Sequence, residues 1–145
     1  MKLEPEAIEA LLVRWPIARL VTLAADGSPV PIPVVFARAG AELYSPIDGK
    51  PKRGVELARE RNLRADPRVA LLLDHYDDDW ERLWWLRVDG RATLVAAGSH
   101  PEALDALRAK YPQYARVPLV SGEPRLLRIE IARVSSWRAS ARAEI

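Results

Sequence analysis

The chain has 145 residues, of which 49% are hydrophobic and 29% are charged, and its formal net charge is +2. These values exclude intrinsic disorder and predict a single globular domain over residues 1–145. The absence of cysteine excludes disulfides, a thiol nucleophile and a thiolate metal site. His75 and His100 lie far apart in the sequence, so we also expect no histidine-based metal site.

The sequence gives no sign of a membrane or nucleic-acid partner. No apolar run approaches the length of a membrane span, and the first residues lack the pattern of a secretory signal. We therefore expect a cytoplasmic protein that does not associate with a membrane. A net charge of +2 also does not favour nucleic-acid binding through bulk electrostatics.

The first third of the chain reads as one helix and three strands. Hydrophobic periodicity places these elements at residues 4–14, 19–25, 30–37 and 42–47. Asp26 and Gly27 predict a tight turn that makes the first two strands a hairpin. Prolines recur at every second position through the second strand, at Pro29, Pro31 and Pro33. Since proline cannot donate to a strand ladder, one side of this strand must be an edge or must face something other than a strand, such as a ligand.

The rest of the chain adds strands and two short helices. We predict helices over 55–65 and 101–110, strands over 69–74, 83–96 and 126–134, and a loop over 112–124. Continuous apolar residues predict that strand 69–74 is buried on both faces. Asp89 and Gly90 predict a bulge in strand 83–96, and Ser99 is a candidate N-cap for the later helix. Six strands joined mostly by short turns favour a mainly β, antiparallel small barrel.

Three cations lie on the turn between the third strand and the helix at 55–65. Lys50, Lys52 and Arg53 would meet the helix N-terminus there, where backbone N–H groups and the helix dipole favour an anion. The ligand that such a site would bind most readily is the phosphate of a nucleotide or cofactor. The alternative is an ordinary solvated turn.

Five ordered segments of the sequence are similar to one known family. They are residues 18–37, 43–53, 62–76, 86–95 and 133–137, including LYSPIDGKPKR and NLRADPRVALLLDHY. The chain resembles the split-barrel, FMN-binding-like family typified by pyridoxamine 5′-phosphate oxidase (PNPOx-like). Within that family it looks most like the branch of coenzyme F420-dependent oxidoreductases.

The resemblance implies a homodimer that holds a cofactor in a groove at its interface. Residues lining the ring, largely through the backbone, would be Val34, Val35 and Phe36, with the Ser45 hydroxyl beside them. The phosphate ligands would be Lys50, Lys52 and Arg53, with Asn62 supporting their turn. Pyridoxamine-phosphate oxidases also carry basic side chains on the second strand. Here that strand has no cation before Arg38, which argues against pyridoxamine phosphate as the substrate.

The implied activity is hydride transfer between coenzyme F420, a deazaflavin, and a small organic acceptor. Seven cations in residues 50–68 could also accommodate the polyanionic tail of the deazaflavin. The alternatives are an FMN-dependent reductase or oxidase on the same fold, and a non-catalytic module that binds a cofactor or RNA. No side chain is assigned as catalytic, because the cofactor carries the chemistry.

The remaining aromatic and acidic residues fit structural roles. Trp84 and Trp85 are predicted to point to opposite faces of their strand, so only one of them can be in the core. We expect Trp137 to cap the barrel, and His75 to be structural rather than an acid–base catalyst. The acidic run at residues 77–79 is expected to be a solvated loop.

Overall fold

The computed structural model describes residues 1–47, 58–119 and 125–145. These residues form one antiparallel sheet and three α-helices, so the mainly β prediction is confirmed. The strands are β1 (Ala18–Leu23), β2 (Pro29–Val34), β3 (Ala37–Ala39), β4 (Glu42–Pro46), β5 (Arg68–His75), β6 (Trp84–Ala96) and β7 (Arg125–Arg138). The helices are α1 (Pro5–Arg14), α2 (Ala58–Ala65) and α3 (Pro101–Lys110).

The strand order is β2-β1-β5-β6-β7-β4-β3, so β2 and β3 are the two ends of the sheet. The curled sheet encloses the larger core, to which α1 contributes Leu11 and Leu12. A smaller core lies under α3 and joins that helix to β3, β4 and the start of β7. None of the described helices is both long and apolar enough to span a bilayer.

Most predicted elements are confirmed, and their ends within the described residues agree to within four residues. The β1–β2 hairpin turns at Asp26 and Gly27, where Gly27 has φ +84°. The second predicted strand is divided by a bend into β2 and β3, so the described chain has seven strands rather than six. Ser99 is not the N-cap of α3, because His100 holds that position and makes no side-chain capping bond. In the predicted 112–124 loop, residues 112–115 form a short 3₁₀ turn.

The prediction that β5 is buried on both faces is wrong. Its burial alternates, with Val69, Leu71 and Leu73 in the core and Leu72 only half-buried on the other face. An antiparallel sheet can leave one face open, and here that face carries apolar side chains although the core does not cover it. The continuous apolar run therefore reflects a second apolar surface.

The register of the β6–β7 pairing shifts between Asp89 and Gly90, where the bulge was predicted, but the extra residue is Ala132 on β7, so the bulge is in β7 and not in β6. A side-chain Cβ at Gly90 would lie 2.2 Å from the backbone oxygen of Glu130, so the close approach of the two strands requires glycine. Trp84 and Trp85 do lie on opposite faces, with Trp84 2% exposed in the core. Trp137 does not close the barrel: it pairs with Trp85 on the open face and is 38% exposed.

Candidate functional site

The outer edge of β2 carries backbone acceptors without the usual donors. Within the described residues β2 pairs with β1 alone, and Pro31 and Pro33 lie opposite Val21 and Arg19. Prolines cannot donate, so the hydrogen bonds to β1 must come from the residues between them. Since alternate residues of a strand point their backbone groups in opposite directions, the proline carbonyls face the open edge. A neighbouring β-strand could not pair there in the ordinary way.

The bend between β2 and β3 is held by two side-chain hydroxyls. Ser45, only 1% exposed on β4, donates from Oγ to the Val35 carbonyl at 2.7 Å. The Tyr111 hydroxyl lies 3.1 Å from the Phe36 nitrogen and 2.9 Å from its oxygen. Among the described residues, the Val35 N–H has no hydrogen-bond partner. By the alternation of the strand it is the first donor on the same edge as the proline carbonyls.

The Phe36 side chain lies in the core beneath the end of α3. It is fully buried, and the Nζ of Lys110 lies 3.6 Å from the centre of its ring. Burial lowers the pKa of Lys110 from 10.5 to about 8. Any contact of Phe36 with a cofactor would therefore come from its backbone. Val34 is also buried, whereas Val35 is half-buried.

Asn62 ties α2 to the sheet near the same edge. Its Nδ2 donates to Oγ1 of Thr22 on β1 at 3.0 Å. Glu60, buried on the first turn of α2, forms an ion pair with Arg125 at 2.7 Å. Arg125 also accepts a backbone hydrogen bond from Ile47 at 3.2 Å. The end of β4, the start of β7 and α2 are thus joined at one place.

The predicted phosphate ligands Lys50, Lys52 and Arg53 lie outside the described residues, so the structure does not test them. Farther along the same cation-rich stretch, Arg68 forms an ion pair with Asp66 at 2.7 Å. Hydrogen bonds from Arg68 lower the pKa of the Asp66 carboxyl to about 2. Arg61 on α2 is exposed. Val34, Val35 and Phe36 are brought together with Ser45, while Asn62 approaches β1 at Thr22.

A groove of about 580 Å³ runs over the open face of the sheet. We call it the tryptophan groove; it is lined by Val21, Ala70, Leu72, Asp74, His75, Tyr76, Leu83, Trp84, Trp85, Arg87 and Trp137. The His75 ring stacks on Trp84 and meets the edge of Trp15, and its Nε2 is 3.6 Å from Asp77. These contacts agree with a structural histidine at the end of the groove.

Sequence reasoning missed both this groove and the role of Tyr111. The groove could have been found from apolar residues at every second position of neighbouring strands, such as Ala70 and Leu72 on β5. No local pattern marks Tyr111, because its partners Pro16 and Phe36 are distant in the sequence.

Three solved structures illustrate what the fold is similar to. An F420 reductase is 25% identical, with 91% of this chain and 98% of that chain covered and a TM-score of 0.65. A FAD-binding protein from Mesorhizobium loti is 22% identical, with 94% of this chain and 95% of that chain covered and a TM-score of 0.66. The heme storage protein HutZ from Vibrio cholerae is 17% identical, with 95% of both chains covered and a TM-score of 0.71.

The comparison of sequences gives the family directly. No curated protein matches the chain significantly. The family model of pyridoxamine 5′-phosphate oxidase matches residues 4–138, nearly the whole chain. The chain therefore belongs to the pyridoxamine 5′-phosphate oxidase family and has its split-barrel fold.

Proposed function

We propose that the protein is a coenzyme F420-dependent oxidoreductase that transfers hydride between the deazaflavin and a small organic acceptor. The observation that carries the proposal is the open edge of β2, where proline carbonyls are followed by the free Val35 N–H. The similarity to an F420 reductase over most of both chains supports the choice of cofactor.

The edge has the hydrogen-bonding groups that such a ring system needs. The pyrimidine portion of a flavin or deazaflavin presents one N–H donor between carbonyl acceptors. The carbonyls of Pro31 and Pro33 can accept from that donor, and the Val35 N–H can donate to a ring carbonyl. Ser45 already donates to Val35, so its hydroxyl acts by fixing the bend and retains only its capacity to accept.

When bound, the reduced ring supplies the hydride, and the protein contributes binding, orientation and exclusion of water. The Val35 N–H would orient the ring, while the backbones of Val34, paired with Ala18, and of Phe36, held by Tyr111, would fix the position of Val35. The buried aliphatic and aromatic side chains behind this bend keep it rigid, since Val34 is 7% and Phe36 0% exposed. No side chain of the chain is required as an acid or base, and the final proton can come from solvent.

We propose Lys50, Lys52 and Arg53 as the phosphate ligands, with Asn62 holding α2 in place beside them. Lys52→Ala combined with Arg53→Ala should weaken cofactor binding by more than about tenfold, because it removes two charge-assisted contacts. A suitable control is Lys2→Ala with Arg108→Ala, which removes the same charge from exposed positions on other elements. Equal affinities of the two double variants would reject the assigned phosphate site.

A homodimer is proposed to bury the tryptophan groove. Its centre is apolar, and ion pairs lie at its border between Arg19 and Asp74 and between Arg87 and Asp89. An apolar centre with a polar rim is the usual anatomy of a protein interface. The proposed cofactor site would then be completed by residues of a second copy.

An FMN-dependent reductase or oxidase is the second candidate, since the same edge can hold a flavin and the FAD-binding relative has the same fold. The direct test is to mix the protein with reduced F420 and a panel of quinones and enones and follow reoxidation of the cofactor. Acceptor-dependent reoxidation that exceeds the protein-free rate supports the proposal. If no acceptor is reduced faster with the protein than without it, the proposed activity is wrong for these acceptor classes.

A further inference from the structure

The Tyr111 hydroxyl is the only described side-chain group that contacts both backbone polar atoms of Phe36. We propose that Tyr111 is a positioning residue, which sets the backbone of the β2–β3 bend so that the Val35 N–H faces the cofactor ring. This inference rests on the proposed function, because it assigns a role at the same site.

The geometry of the hydroxyl ties together three parts of the chain. Its oxygen lies 2.9 Å from the carbonyl oxygen of Pro16 as well as near both polar atoms of Phe36. The hydroxyl has one proton, so it accepts from the Phe36 N–H and donates to one of the two carbonyls at a time. Burial raises the pKa of Tyr111, so the hydroxyl remains protonated and able to donate at neutral pH.

The bend needs these contacts because it lacks the ladder bonds of a strand. Residues 35 and 36 fall between β2 and β3 and belong to neither strand. The last residue of α3, Lys110, covers the Phe36 ring, while the next residue, Tyr111, holds the Phe36 backbone. Ser45 fixes the adjacent Val35 carbonyl from the other side. The Val35 carbonyl and the Phe36 N–H belong to one peptide plane, which Ser45 and Tyr111 hold at its two ends. Because Val34 is held by its pairing with Ala18 on β1, fixing this next plane limits the rotation of Val35 and therefore the direction of its N–H.

A merely structural role would give a different result from a positioning role. If Tyr111 only stabilises the fold, a different destabilising change in α3 should weaken cofactor binding equally. Leu107→Ala provides that control. Leu107 is a fully buried core residue on the same helix, and it makes no hydrogen bond to the backbone N–H or carbonyl of Phe36. Tyr111→Phe removes the hydroxyl and keeps the ring.

The experiment measures F420 and FMN affinity of wild type, Tyr111→Phe and Leu107→Ala at a temperature where all three are folded. We expect about tenfold weaker binding for Tyr111→Phe, the effect of misplacing a single ring contact, and near wild-type affinity for Leu107→Ala. Amide ¹⁵N–¹H spectra of the cofactor-free proteins should show the Val35 and Phe36 resonances shifted in Tyr111→Phe alone. If Tyr111→Phe does not fold, Ser45→Ala tests the same bend and should also weaken binding.

Unchanged affinity or unchanged Val35 and Phe36 resonances in Tyr111→Phe would overturn the inference. An equal loss of affinity in Leu107→Ala would overturn it as well, leaving a structural role. If the wild-type protein binds neither cofactor, the proposed function is wrong. This result can be distinguished from a failure of the Tyr111 inference alone, because it is seen in the protein without any substitution.

Discussion

Substituting Gly90 by alanine tests the packing of β6 against β7, the longest strand pair of the fold. The new Cβ would lie 2.2 Å from the Glu130 oxygen, 3.2 Å from its carbon and 3.4 Å from Cγ2 of Ile129. The first atom belongs to the backbone of β7, so one strand must move by about 1 Å to restore normal contact. Overpacking of this kind costs about 3 kcal/mol when rigid backbone must give.

The assay is urea and thermal unfolding at one fixed protein concentration, since a dimer would make Tm depend on concentration. For a chain of this size, about 3 kcal/mol corresponds to a fall in Tm of roughly 10 °C. Gly98→Ala is the matched control, because no atom lies within 4 Å of its Cβ. Its free energy of unfolding should stay within about 0.5 kcal/mol of wild type. A Gly90→Ala protein as stable as this control would refute the strand register at the bulge.

Two further predictions concern Lys110 and the tryptophan groove. Burial lowers the pKa of Lys110 to about 8, so the unfolded chain binds this proton more tightly and stability should rise with pH between about 8 and 10.5. Lys110→Met should abolish that rise in urea unfolding at several pH values, and an identical pH profile would contradict it. Trp137→Glu should shift light-scattering mass from dimer to monomer, whereas Trp80→Glu, outside the groove and 70% exposed, should not. A Trp137→Glu protein that remains dimeric would place the interface elsewhere.

Local sequence signals predicted the elements that depend on local chemistry. The turn at Asp26 and Gly27, the position of the register shift at Gly90 and the three helices all follow from residues close together in the chain, whereas the bulged residue itself lies on the partner strand β7. The prolines of β2 also predicted that one side of this strand is an edge or faces something other than a strand, because the missing N–H groups exclude ordinary strand pairing on that side regardless of the rest of the fold.

Features that depend on distant partners could not be predicted in the same way. The apolar run of β5 indicated burial on both faces, but periodicity alone does not distinguish a core face from an open apolar face. The contact of Tyr111 with Phe36 joins residues 75 positions apart and leaves no local pattern. The ring-lining residues and Ser45 came from the family resemblance, and their role with a cofactor stays a prediction.

A paired fluorescence titration of the wild-type protein with coenzyme F420 and FMN, at one salt concentration, shows which cofactor the β2 edge binds. We expect saturable binding of F420 that is tighter than the binding of FMN. Tighter binding of FMN would instead favour the alternative function, an FMN-dependent reductase or oxidase. Binding of neither would contradict the assignment of the β2 edge and its bend as a cofactor site.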